Sequence, residues 1–140
     1  MMRPKIQLAI FYCTHQADWI SRVLKALDGS NPVHVRKVAL PCSGKLEVFH
    51  LTQALEDGAD GAALCGCPEE KCRYSVGSRR AEGRVRYTKK ILEEIGLGGE
   101  RVHRFILESH PGPENMEALS GWIEKIQAMG TLHGHQKISH

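Results

Sequence analysis

Ile6-Gln7-Leu8-Ala9-Ile10-Phe11-Tyr12-Cys13 is an apolar run of strand length closed by a cysteine, and the pattern returns along this 140-residue chain. Val35-Arg36-Lys37-Val38-Ala39-Leu40-Pro41 ends at Cys42. Gly61-Ala62-Ala63-Leu64 ends at Cys65 and Cys67, with Cys72 in the loop that follows. A fourth apolar run lies near residues 103–107. Between these runs the apolar spacing changes from strand-like to helical. Trp19, Ile20, Val23, Leu24 and Leu27 mark a first helix, stopped by Asp28-Gly29-Ser30-Asn31-Pro32. Leu46, Phe49, Leu51, Ala54 and Leu55 mark a second, ended at Asp57-Gly58. Ala81, Val85, Ile91, Leu92 and Ile95 mark a third, in which Gly83 costs about 1 kcal/mol against alanine. Met116, Leu119, Trp122, Ile123 and Ile126 mark a fourth, ended near Gly130.

Strand–helix alternation of this kind predicts an α/β fold: a four-stranded parallel sheet with helices on both faces, Rossmann/flavodoxin-like. Ligands of such sheets bind beyond the carboxyl ends of the strands, near a reversal of strand order. The cysteines fall at those ends, so thiols far apart in sequence are expected to meet along one sheet edge.

The length suits one domain, expected over residues 1–130, with residues 131–140 as an aperiodic, flexible tail. A hydrophobic share of 41% and a charged share of 25% fit an ordinary soluble protein. No apolar run approaches bilayer length, and no signal-peptide pattern opens the chain, so a cytoplasmic location is expected. In that compartment five cysteines, an odd number, argue for metal or redox chemistry rather than a disulfide framework. Between Arg79 and Lys90, six cations (Arg79, Arg80, Arg84, Arg86, Lys89, Lys90) stand against Glu82 alone. Such a stretch is either a solvated helix face or a docking surface for an acidic partner. Nucleic acid is not expected, because only Tyr87 is interleaved for base stacking.

Cys67-Pro68-Glu69-Glu70-Lys71-Cys72 spaces two thiols by four residues, a gap that also wraps one end of a [2Fe–2S] cluster in plant-type ferredoxins. Cys42-Ser43-Gly44 brings a thiol to the start of a helix, where the dipole and free N–H groups favour thiolate. Cys13 occupies the equivalent place after the first strand. Together, Cys13, Cys42, Cys67 and Cys72 make the four thiols that a [2Fe–2S] cluster needs, and equally those of a closed structural zinc site. Cys65 reads as a buried thiol of the core, with the alternative that it replaces Cys13 or Cys42 as a ligand. Cys13-x-His15, Ser109-His110 and His133-Gly134-His135 make no convincing catalytic or metal pattern. No glycine-rich dinucleotide or phosphate loop follows a strand, so nucleotide binding is not indicated.

Cys13, Cys42-Ser43-Gly44, Gly58-Ala59-Asp60-Gly61, Gly66-Cys67-x4-Cys72-Arg73-Tyr74 and Gly77, in that order, resemble the delta subunit of methyl-viologen-reducing hydrogenase. The similarity runs from about residue 5 to 129 and extends to Ala81-x-x-Arg84 and Ile91-Leu92-x-x-Ile95-Gly96-x-x-x-x-Arg101. The resemblance implies a non-catalytic [2Fe–2S] subunit that relays electrons from a hydrogenase or formate dehydrogenase to a flavoprotein like the A subunit of heterodisulfide reductase. Two positions depart from the family pattern. Gln16 stands where members usually carry a second cysteine of Cys-x-x-Cys, and Arg73 replaces histidine in Cys-His-Tyr. The arginine adds a permanent cation beside the site, which favours the more negative reduced form. Two other readings use the same thiols: a zinc-holding scaffold module of a redox complex, and a thiol-redox enzyme working through Cys13 or Cys42.

Overall fold

A computed structural model of the chain describes residues 6–14, 18, 20–22, 25, 33–40, 45–66, 75–106 and 113–132. Four strands form one sheet: β1 (Ile6–Cys13), β2 (Val33–Leu40), β3 (Gly61–Gly66) and β4 (Val102–Ile106). Their order is β2-β1-β3-β4 and every neighbouring pair is parallel. The fold is therefore the expected α/β arrangement with an all-parallel sheet. The central strands are apolar almost throughout, because a parallel strand covered on both faces has no solvent side. All six residues of β3 are buried. Edge strand β2 is mostly exposed or half-buried and carries Arg36 and Lys37, charges that discourage pairing with a further strand.

Three helices have described bounds: α1 (Val48–Glu56), α2 (Ser75–Glu94) and α3 (Pro113–Met129). Between β1 and β2, the described positions Asp18, Ile20, Ser21, Arg22 and Lys25 are also helical. Ile20 joins Leu119, Trp122, Ile123 and Ile126 of α3 against Ile6, Leu8, Ile10, Ala63 and Cys65 on one face of the sheet. On the other face, Leu51 and Leu55 of α1 and Ala81, Val85 and Leu92 of α2 cover Ala9, Phe11, Ala62 and Leu64. Gly83 does not interrupt α2, and a Cβ there would meet nothing within 4 Å. Two residues that the helical spacing assigns to the core lie outside it. Phe49 and Ile95 are each 61% exposed, because Phe49 falls about 200° around α1 from Leu51 and Ile95 lies beyond the last turn of α2.

The Gly58-Ala59-Asp60-Gly61 motif turns the chain into β3 at the amino edge of the sheet. Gly58 has φ +119°, a conformation side chains disfavour, and a Cβ on Gly61 would come within 3.1 Å of Trp122 Cζ2. Asp60 is buried and both its carboxylate oxygens accept backbone N–H bonds, Oδ2 from Gln7 at 2.8 Å and Oδ1 from Leu132 at 2.8 Å. Arg101 is buried beside it. Its Nη1 donates to the carbonyls of Asp60 (2.9 Å) and Gly130 (3.2 Å), and its Nε donates to that of Leu97 (3.1 Å). Burial disfavours the charge on Arg101, and the Asp60 carboxylate counters that effect. One acid and one base thus tie β1, β3, the start of β4 and the chain after α3. Leu132, which falls within the expected tail of residues 131–140, is part of this tie, and residues 133–140 lie outside the described residues.

Replacing Asp60 by alanine strands two N–H donors and leaves Arg101 without its counter-charge. Asp60→Ala is expected to lower the unfolding free energy by about 2–4 kcal/mol in urea denaturation. Arg101→Lys should also destabilise, since one ammonium cannot reproduce the planar fork that spans three carbonyls. A loss below about 0.5 kcal/mol for both variants would contradict this account of the amino edge.

Candidate metal centre at the carboxyl edge

The strand registers decide which chain exits lie level at the carboxyl edge. Cys13 is opposite Leu40 in the β1–β2 ladder, and Tyr12 is opposite Cys65 in the β1–β3 ladder. Cys42 therefore lies two residues past Cys13's partner, and Cys67 two residues past Tyr12's partner. Adjacent strands are about 4.8 Å apart, so Cys13 shares one small area with the strand ends that precede Cys42 and Cys67 in the sequence. This area flanks the reversal of strand order, with β2 on one side of β1 and β3 on the other.

Side-chain alternation then separates the two described thiols. Cys13 shares its parity with Ala9 and Phe11, which face the α1–α2 layer. The sequence between β2 and α1 carries Cys42, and that between β3 and α2 carries Cys67 and Cys72. Cys65 faces the opposite layer and packs with Ile10, Ala63 and Phe105. Cys13 is 5% exposed and Cys65 1%. Burial alone pushes the Cys65 thiol up to about 12, so at neutral pH it is a protonated, apolar side chain.

Of the four expected ligands only Cys13 is described; Cys42, Cys67 and Cys72 lie outside the described residues, as do Gln16, Arg73, His15, Ser109, His110, His133 and His135. Among the described residues, no three His, Cys, Asp or Glu side chains gather to hold a metal ion. One thiolate cannot make a cluster site, so the donor set depends on the exits that the register levels. Four thiolates are the donor set that an iron–sulfur cluster or zinc takes; of the four expected, the structure describes Cys13, level with the strand ends that precede Cys42 and Cys67.

Two features near this edge have no assigned role in the sequence. Arg84 of α2 donates through Nη1 to the Leu46 carbonyl at 2.7 Å and pairs through Nη2 with Glu47 at 3.4 Å. It therefore fastens the exit of the Cys42 loop to the helix that follows Cys72. His50 accepts the Glu47 N–H on Nδ1 at 2.8 Å, and its ring lies 4.3 Å from Phe49 and 6.0 Å from Phe11. Glu47-x-x-His50 is a helix-start spacing, the local signal for it; the Arg84 contact spans 38 residues and has no such signal. The basic stretch divides. Arg79, Arg80, Arg86 and Lys90 are exposed, whereas Arg84 is engaged as described and half-buried Lys89 donates to the Gly99 carbonyl at 3.3 Å. No helix among the described residues is long and apolar enough to cross a membrane.

A family model described as "Methyl-viologen-reducing hydrogenase, delta subunit" matches residues 8–130. The iron-sulfur D subunit of the F420-non-reducing hydrogenase vhu of Methanocaldococcus jannaschii is 32% identical over 122 residues, covering 86% of this chain and 91% of that protein. The iron-sulfur D subunit of the F420-non-reducing hydrogenase of Archaeoglobus profundus is 32% identical over 123 residues, 88% of each chain. The A subunit of the Ferredoxin:CoB-CoM heterodisulfide reductase of Methanosarcina mazei matches 91% of this chain at 24% identity, using only 16% of its own length. The chain is thus similar both to a small separate subunit and to one part of a much larger protein.

The burial and raised pKa of Cys65 lead to a direct expectation. In folded, metal-free protein at pH 8, iodoacetamide should leave Cys65 unmodified until urea unfolds the chain, as followed by peptide mass spectrometry. Labelling of Cys65 in the folded protein would contradict its placement in the core.

Proposed function

The chain belongs to the family of the methyl-viologen-reducing hydrogenase delta subunit, and on that premise we propose that it is a non-catalytic electron-transfer subunit with one [2Fe–2S] cluster. The ligands are Cys13, Cys42, Cys67 and Cys72. The observation that carries this reading is the strand register, in which Cys13 lies level with the strand end that leads to Cys42 and with the one that leads to Cys67. Cys65 stays outside the ligand set because it faces the opposite helix layer, packed with Ile10, Ala63 and Phe105.

Bound there, the cluster supplies reversible one-electron chemistry. The chain's own residues supply the rest. Parallel topology brings the amino ends of α1 and α2 to the cysteine edge, where their dipoles favour thiolate over thiol. The Arg84 clasp on Leu46 and Glu47 joins the Cys42 and Cys72 segments, so that the ligands keep one geometry through a change of charge. Arg73, next to Cys72 in the sequence, adds positive charge and raises the potential.

The partners follow from the relatives. Proteins named for a hydrogenase and for a heterodisulfide reductase both match nearly the whole chain, which supports a relay between two such complexes. In this reading the donor is a hydrogenase or formate dehydrogenase and the acceptor a heterodisulfide reductase-type flavoprotein. The exposed part of the basic stretch supports docking to acidic protein surfaces, in a cytoplasmic setting.

Anaerobically purified protein should be coloured, bleach with dithionite, and contain about two irons and two acid-labile sulfides per chain. Serine at Cys13, Cys42, Cys67 or Cys72 should each remove the colour, whereas Cys65→Ser should keep it. Zinc without sulfide would select the scaffold reading instead, and a colourless, metal-free protein with one reactive low-pKa thiol would select the thiol enzyme.

A further inference from the structure

All four large hydrophobic residues that stand exposed among the described residues, Phe49, Tyr87, Ile95 and Leu97, belong to α1, α2 or the turn after α2. Between α1 and α2 runs an open groove of about 390 Å³. Leu55, Leu92 and Leu132 contribute to its lining, together with Thr52 of α1 and Ile91, Ile95 and Leu97 from the α2 side. Helical spacing sets Tyr87, Ile91 and Ile95 on one stripe of α2, and it sets Phe49 on the same side of α1 as Thr52 and Glu56. The exposed apolar residues are therefore concentrated beside one concavity. Scattered exposed hydrophobics are normal; a concentration around a groove marks a binding surface.

The charge beside the groove is graded along its axis. The Tyr87–Ile91–Ile95 stripe continues at helical spacing to Arg84, which is engaged with Leu46 and Glu47, and to exposed Arg80; Arg79 adds an exposed cation at this end against exposed Glu82, while Lys90 stands beside Ile91. At the opposite end stand Glu56 of α1 and Glu94 of α2, both exposed. The basic end is the amino end of α2, which lies toward the cysteine edge. An occupant has to be convex and apolar along one stripe, and it has to be acidic at the end that meets Arg79 and Arg80. An amphipathic helix has that shape and that chemistry. Two copies apposed groove to groove do not supply it, because concavity then meets concavity and leaves the floor around Leu55 and Leu92 open.

We propose that the α1–α2 groove receives an amphipathic helix of a partner protein, its apolar stripe on Ile91, Ile95 and Leu97 and its acidic end toward Arg79 and Arg80. This docking goes beyond the cluster reading and does not depend on it, since the groove is built from residues other than the expected ligands. The docked helix would sit on the layer that Cys13 faces, with its acidic end nearest the thiols. The charges steer it into one of two possible directions along the groove.

The test uses the full-length chain and two synthetic helical peptides that share one leucine stripe. One carries glutamates at the end designed to meet Arg79 and Arg80; the other carries lysines there. Fluorescence anisotropy should give saturable binding of the acidic peptide, at least tenfold tighter than the basic one and weakened by added salt. Ile95→Glu, at an exposed position that leaves the fold intact, should weaken the acidic peptide at least tenfold. The double variant Arg79→Glu, Arg80→Glu should reverse the preference between the peptides. Circular dichroism of each variant must match the parent chain. The proposal is overturned if the acidic peptide binds more weakly than about 1 mM or if Ile95→Glu leaves its affinity unchanged. It is also overturned if sedimentation shows a dimer of the chain that Ile95→Glu dissociates.

Discussion

The parallel register of β1 against its two neighbours is the constraint on which the rest of the structure depends. Hydrogen bonds of a parallel ladder fix which residue lies opposite which, and a slip by one residue would exchange the two faces of a strand. Here a slip of β1 would move Cys13 to the layer of Cys65 and expel Phe11 from its helix contacts. The register is secured at the amino edge by Asp60 and Arg101. Asp60 exchanges bonds with Gln7, its N–H donating to the Gln7 carbonyl while its carboxylate accepts the Gln7 N–H. Arg101 holds the strand entry of β4 to the same point. Order at the amino edge thereby sets position at the carboxyl edge, the far end of the same strands.

That division sorts the residues that the family resemblance carries. Gly58, Gly61, Asp60 and Arg101 build the amino edge, at the far end of the strands from Cys13. Arg84 lies between the two classes, fastening Leu46 and Glu47, which follow Cys42 in the chain, to the helix that follows Cys72. Cys13 belongs to the carboxyl edge, with the strand ends that precede Cys42 and Cys67. A motif residue is thus not automatically a site residue; its place along the strand axis separates the two.

The strands and their parallel arrangement are legible in the sequence because each signal is local. Strand-length apolar runs alternate with helical spacing, and a strand followed by a helix and another strand leaves few topologies open. The observed strands begin and end within about two residues of the expected runs. Periodicity places Phe49 and Ile95 in the core because it counts apolar residues without knowing that two helices leave a groove between them. The Asp60–Arg101 and Arg84–Leu46 contacts join residues 41 and 38 apart, and nothing local announces such pairs. The parity that separates Cys13 from Cys65 needs the register, which the strand pattern alone does not specify.

The central claim is that thiols from separate strand ends hold one cluster while Cys65 does not take part. Its most direct measurement is anomalous diffraction at the iron edge from crystals grown anaerobically. The account predicts one centre of about two irons per chain, bound by Sγ of Cys13, Cys42, Cys67 and Cys72, with Cys65 buried on the other side of the sheet. An iron centre ligated by Cys65, or a single zinc ion at the strand ends, would contradict it.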